Sequence, residues 1–256
     1  MPHIDVLHPA RRFWRAGKTG AGEENEAAGC SLLVLERQVL GARRIGDVPG
    51  SEIPARYFQF VRTGDARPLA GVLEHNRLDL LSLAGLTGRL LHLVAVGPDE
   101  ARDAREALAL GRVYARGGLD ERARQAWERA VEMSSGGAQA PRSASMALLE
   151  IDALRALAIG WRRAHRHDEA AACWQRLLDV HRCPRRVWRE ATEALAIHHE
   201  HRMRDLAAAK TFALRSLERG REPAWAGSTR HRLARIERKM AGATGVNGRG
   251  ATLNLE

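Results

Sequence analysis

Cysteine is scarce: Cys30, Cys173 and Cys183 are the only three in 256 residues. Three scattered thiols exclude a disulfide scaffold and point to a reducing cytoplasm. Aromatic residues make up 5% of the chain, and lysine is confined to Lys18, Lys210 and Lys239. The N-terminus holds no apolar run of signal-peptide length. The most apolar stretch, Leu80 to Val96, is interrupted by Arg89 and His92 and falls short of a membrane span. A cytoplasmic protein with no membrane partner is the expectation.

What is present is the composition of a globular chain that can bury a core, 45% apolar and 28% charged. Lys and Arg number 41 against 31 Asp and Glu, a net charge of +10, and nearly all the cations are arginines. The planar fork of donors on arginine suits phosphate and nucleic acid. Many of these arginines also stand beside Glu or Asp on helical faces, so the charge alone selects no partner.

Along the chain, Ile4, Val6 and Leu7 predict a short strand ending at Pro9, followed by a basic helical turn, Arg11 to Arg15, with Phe13 and Trp14. Residues 17 to 29 have the composition of a surface loop. Gly17-Lys18-Thr19 is not a phosphate loop, because the required upstream glycine is Arg12 and more glycine follows where a helix should begin. Ser31 predicts a helix capped by its own hydroxyl, with Leu32, Leu35, Val39 and Leu40 inward and Gly41 as its stop. Pro54 opens a second helix, with Tyr57, Phe58 and Val61 expected inward and Gly64 ending it. A long helix follows from Pro68 to about Val96, and Gly97-Pro98 marks the domain boundary.

Beyond that point the chain turns to Ala, Arg and Glu, and repeats emerge. Leu110-Gly111, Tyr114, Ala123, Trp127 and Ala130 stand at the offsets of a tetratricopeptide helix pair. Gly111 and Ala123 would let two helices approach closely. The pattern recurs at Leu157-Ala158, Trp161, Ala170 and Trp174, and more weakly at Leu195-Ala196, His199, Ala208 and Phe212. A loop from Ser134 to Ser145 accounts for the long first interval. The repeats fill residues 97–242, and a disordered tail is expected over 243–256.

The local feature with most chemical content is Glu74-His75-Asn76-Arg77-Leu78-Asp79. His75 and Asp79 lie four apart on a helix and share a face, able to present an imidazole and a carboxylate together. On spacing alone, a solvated His–Asp pair is the more common meaning.

Longer phrases surround that pair: His3-Ile4-Asp5-Val6-Leu7-His8-Pro9-Ala10-Arg11-Arg12, Gly29-Cys30-Ser31-Leu32 running to Leu35-Glu36-Arg37, and Asp47-Val48-Pro49-Gly50-Ser51-Glu52-Ile53-Pro54. Arg56-Tyr57-Phe58, Arg62-Thr63-Gly64-Asp65, and Leu73 through Asp79 to Leu83 complete the set. In order, these phrases resemble the C-terminal half of the YprB-type ribonuclease-H-like domains, related to the DEDD proofreading exonucleases. The resemblance implies a mostly α chain: a truncated α/β ribonuclease-H-like domain over residues 1–96, then all-α tetratricopeptide-like repeats. It implies a metal-dependent 3′–5′ exonuclease using Mg²⁺ or Mn²⁺, with Asp79 as the last metal ligand and His75 as the water-positioning group. The family's histidine-type motif spaces these by five, whereas here the interval is four. The first two acidic motifs are absent, Asp5 being only a weak match, so the resemblance implies an incomplete, inactive set. Arg11, Arg12, Arg15 and Arg77, with Trp14 as a stacking face, are the nucleic-acid-binding candidates, for a single-stranded 3′ end of DNA or RNA. The other reading is a non-catalytic adaptor whose helical repeats bind a protein partner.

Two further clusters have bland readings. His198 and His201 could share a helix face but lack a clear third converging ligand, and His199 falls at a packing position. Cys173, His181 and Cys183 approach a zinc spacing, but Cys173 lies within a packed helix.

Overall fold

A computed structural model describes residues 5–15, 30–135, 143–218 and 223–247. Ile4, the glycine-rich segment 17–29 and residues 248–256 of the expected tail lie outside the described residues, and so does the side chain of Trp225. Residues 243–247, expected to be disordered, continue the last helix. Every regular element among the described residues is helical, and none is a strand. The chain divides into two compact units, residues 1–110 and 111–256. The helix break expected at Gly97-Pro98 is present, and the first unit continues through it to Leu110.

In the first unit the expected strand at Val6–Leu7 is instead a helix, α1 (Leu7–Phe13). Pro9 does not prevent it, because the first turn of a helix needs no amide hydrogen from that position. Asp5 Oδ1 accepts from the Leu7 amide at 2.8 Å, satisfying one of the free donors. A four-residue helix, α2 (Leu32–Leu35), runs into a π turn over Glu36–Leu40. Ser31 is the N-cap in extended conformation, but its hydroxyl makes no capping bond, contrary to expectation. Gly41 at φ +67° and Gly64 at φ +73° end their helices in the left-handed region, which glycine enters without steric penalty.

The helix α3 (Ile53–Thr63) holds Tyr57, Phe58 and Val61 on its exposed surface, at 53, 59 and 59% exposure, and not inward. Its spacing is amphipathic, but no described element covers that face. The long helix α4 (Leu69–Val96) behaves similarly: Leu86, Leu90 and Leu93 are buried, whereas Leu73, Leu80, Leu81 and Leu83 are exposed. The helix runs as expected from Leu69 to Val96, and, although the stretch Leu80 to Val96 falls short of a span, the whole helix is long and apolar enough, by length and composition, to cross a membrane. Its polar residues are engaged within the unit: Arg89 pairs with buried Glu106 at 2.8 Å. Glu106 also accepts from Trp14 Nε1 at 2.8 Å and from the Arg102 amide at 2.8 Å. Leu35 and Val39 pack with Ala10 and Leu86 in the apolar core.

The second unit stacks helices in sequence order. After α5 (Ala104–Arg116), whose sequence spans the division, come α6 (Asp120–Ser135), α7 (Ala144–Arg163), α8 (His167–Asp179), α9 (Arg185–His198), α10 (Leu206–Glu218) and α11 (Pro223–Asn247). From α6 onward each packs on the next. Short connectors reverse the chain, so neighbours run antiparallel. Ser134 and Ser135 belong to α6 and Ala144 and Ser145 to α7, so the expected loop is narrower. Serine is accommodated there because Ser134 Oγ bonds back to the Ala130 carbonyl at 2.7 Å.

Most of the repeat positions are buried, namely Tyr114, Ala123, Trp127, Ala130, Ala158, Ala170 and Trp174, whereas Trp161 and His199 are half-buried. Trp127 lies directly on Gly111, where a Cβ would overlap the indole, and its far edge reaches within 3.1 Å of a Cβ built on Gly160. In the third hairpin the buried small residue is Ala209, not Ala208. A π turn over His199–Met203 takes up the one extra residue before α10.

Candidate functional site

The residues singled out by spacing are brought together by α4. His75 Nε2 lies 3.5 Å from Asp79 Oδ2, one turn along the helix. Neither stands alone. The His75 ring turns its Nδ1 to the carboxylate of Asp47, donating at 2.8 Å to Oδ1. Arg44 reaches the same cluster from the other side, donating from Nη1 to Asp47 Oδ2 at 3.0 Å and from Nη2 to Asp79 Oδ1 at 2.6 Å. Its remaining donors form a fork with Glu36, Nε bonding Oε2 at 2.8 Å and Nη2 bonding Oε1.

One guanidinium is therefore the shared partner of three carboxylates, with an imidazole bridging two of them. The π turn carries Glu36 inward between Leu35 and Val39. Asp47 lies in the turn before α3, and its Oδ1 also accepts from the Val48 amide at 2.8 Å. Burial decreases outward, from 2% side-chain exposure at Glu36 and 6% at Arg44 to 34% at Asp79. The open side of the cluster is thus the Asp79 carboxylate.

Burial pushes the Glu36 carboxyl upward, but the hydrogen bonds from Arg44 and Ser82 outweigh it and hold the group below its usual range. Asp47 behaves likewise: burial raises it, and Arg44 and His75 together bring it below the ordinary aspartate value. Arg44 is raised, chiefly by Glu36. The cluster holds more negative than positive charge in either protonation state of His75.

Glu36, Arg44 and Asp47 were not found by sequence reasoning as site residues. A signal existed for Glu36, which stands four residues from both Leu32 and Leu40 on an otherwise apolar helical stripe. Arg44 gave none, lying in an aperiodic segment 35 residues from Asp79.

The remaining candidates lie elsewhere. Arg77 is exposed and pairs with Glu74 at 2.6 Å, on the outer side of α4. Arg11, Arg12 and Arg15 are exposed on and after α1. This helix packs near Leu86, about 10 Å along α4 from Asp79 at 1.5 Å per residue. Arg15 and Arg11 are near enough to Cys30 to oppose the upward pKa shift that burial gives its thiol. Trp14 is half-buried against the apolar cluster, with its N–H committed to Glu106. Asp5 serves the first turn of α1.

Among the described residues no three His, Cys, Asp or Glu side chains converge as a metal would require. His199 stacks on Phe212 with ring centroids 5.3 Å apart. Cys173 is buried, its thiol pushed up to about 11 by desolvation.

With this geometry in view, residues 1–91 match the sequence model of the RNase_H superfamily. A curated relative, the uncharacterized protein YprB of Bacillus subtilis (strain 168), is 27% identical over 215 residues, covering 84% of this chain and 46% of its own length. The chain thus spans about half the length of that relative. No solved structure matches.

Proposed function

We propose that residues 1–96 belong to a ribonuclease-H-like, metal-dependent 3′–5′ exonuclease acting on single-stranded nucleic acid. Asp79 is read as its metal ligand and His75 as its water-orienting group. The observation that carries this reading is the side-by-side placement of His75 and Asp79 in one acidic cluster, within the segment that matches the RNase_H superfamily.

In two-metal nucleases a pair of Mg²⁺ or Mn²⁺ ions neutralises the attacking and leaving oxygens, which requires several free carboxylates. The described residues do not fit that group. Glu36, Asp47 and Asp79 each accept from Arg44, and among the described residues no further acidic side chain joins them. We therefore assign the described residues one corner of such a site and route no hydrolytic step through them. The exposed apolar faces of α3 and α4 agree with a unit whose remaining layer is not among the described residues. For residues 111–218, the packing of Trp127 on Gly111 and the burial of Trp174 in the next hairpin support tetratricopeptide-like repeats.

Nucleic-acid contact is assigned to Arg11, Arg12 and Arg15. The test is anisotropy of a labelled single-stranded oligonucleotide at several salt concentrations. Replacing the three arginines with Glu should weaken binding at least about tenfold and reduce the salt slope by about 2. Arg163→Glu, Arg185→Glu and Arg186→Glu together serve as the charge-matched control and should weaken binding less. No binding at low salt, or equal losses in both variants, contradicts the assignment.

A further inference from the structure

In the second unit, the last turn of α7, the first turn of α8 and the end of α9 enclose a cavity of about 310 Å³. Its inner wall is apolar, with Ala170, Ala171, Ala194 and the buried ring of Trp174. The rim is made of nitrogen donors: Arg162 from α7, His167 opening α8, and His198, His201 and Arg202 from the end of α9 and its π turn. Arg202 Nη2 lies 3.0 Å from His167 Nε2, joining the two sides of the rim.

Carboxylates are few here. Asp168 is 3.7 Å from His198 Nε2, but its side chain is 86% exposed. Glu200 lies 3.5 Å from His201 and is already held by Arg235 and Lys239. Arg155 and Arg166 each pair with a glutamate, whereas Arg162 and Arg202 have no carboxylate within ion-pair distance among the described residues.

We propose that this cavity binds a phosphate monoester of small-molecule size, its phosphate held by Arg162 and Arg202 and its organic part against the Ala170–Ile197 wall. A phosphate presents three strong acceptors and matches arginine forks better than a single carboxylate does. The volume is at the lower end of small-molecule pockets. This inference concerns the second unit alone and stands independently of the nuclease reading.

The groups facing His198 are Asp168 and His167 on α8, Arg162 on α7, and His199, His201 and Arg202 on its own segment. Burial first, and then the neighbouring His199, lower its pKa. A phosphate seated between the arginines reverses that direction.

The experiment is calorimetric titration of the full chain with AMP, inorganic phosphate and adenosine, alongside NMR titration of the His198 ring. AMP should bind, inorganic phosphate should bind more weakly, and adenosine should not bind. The His198 pKa should rise with AMP present. Arg162→Ala and Arg202→Ala should each weaken AMP on the order of tenfold, with helical circular dichroism unchanged, and Arg202→Lys should lose less. Inorganic phosphate binding as tightly as AMP would overturn the organic part of the proposal. The whole proposal fails if neither AMP nor phosphate binds at millimolar concentration. It fails equally if the arginine variants bind AMP as the parent does, or if acetate competes as well as phosphate.

Discussion

Arg44 and its neighbour Ile45 invert the usual order of burial: the guanidinium side chain is 6% exposed, whereas Ile45 is 97% exposed. The inversion follows from Glu36, which cannot stay ionised at 2% exposure without a cation beside it. Arg44→Met should therefore cost about 3–5 kcal/mol in urea unfolding of the first unit, the cost of an uncompensated buried charge. Adding Glu36→Gln should recover part of that loss. Asp79→Asn should cost about 1 kcal/mol or less, because Asp79 is one-third exposed and its amide oxygen still accepts from Arg44. The His75–Asp79 half of this cluster is legible from helical spacing. The Arg44 half is not, because hydropathy ranks Ile45 as the inward residue and nothing local distinguishes Arg44 from Arg43. A second buried carboxylate gives a pH signature. Burial raises Glu200, but Arg235 and Lys239 overcome it and bring its carboxyl down to about 2. A depressed carboxylate contributes stability above its unfolded value, and that contribution is lost as pH falls from about 4.5 to about 2. The second unit should lose about 2–3 kcal/mol across that window, and Glu200→Gln should remove the dependence while lowering stability at pH 7.

For the elements, close approach and register decide more than propensity. Gly111→Ala places a methyl group against the Trp127 indole, which is pinned on its other edge by α7. Overpacking of this kind should lower stability by about 1–3 kcal/mol, read from thermal unfolding, and Trp127→Phe in the same chain should recover part of it. The small-aromatic offsets of the first two hairpins were readable because 12 residues separate Gly111 from Ala123 and Ala158 from Ala170. The third hairpin needs one more, and a π turn is invisible to a 3.6-residue period. Similarly, Tyr57, Phe58 and Val61 mark an amphipathic helix correctly, but spacing does not reveal whether the covering layer lies in the same chain. At α1, the proline that suggested a strand end occupies a first-turn position where its missing amide hydrogen costs nothing.

At the scale of the whole molecule, the first unit combines buried ionic clasps at Glu36 and Glu106 with unusually exposed apolar helices. The acidic cluster at Asp79 has the make-up of a cation site, and the Arg44 guanidinium occupies the cation's place. The most direct measurement is Mn²⁺ titration, followed by electron paramagnetic resonance and thermal stability, on the parent chain, Arg44→Met, and Arg44→Met with Asp79→Asn. No stoichiometric Mn²⁺ should bind the parent. The Arg44→Met chain should bind one ion and regain stability with it, and the added Asp79→Asn should abolish both. Stoichiometric Mn²⁺ on the parent chain, or no uptake after Arg44 is removed from a folded chain, would contradict it.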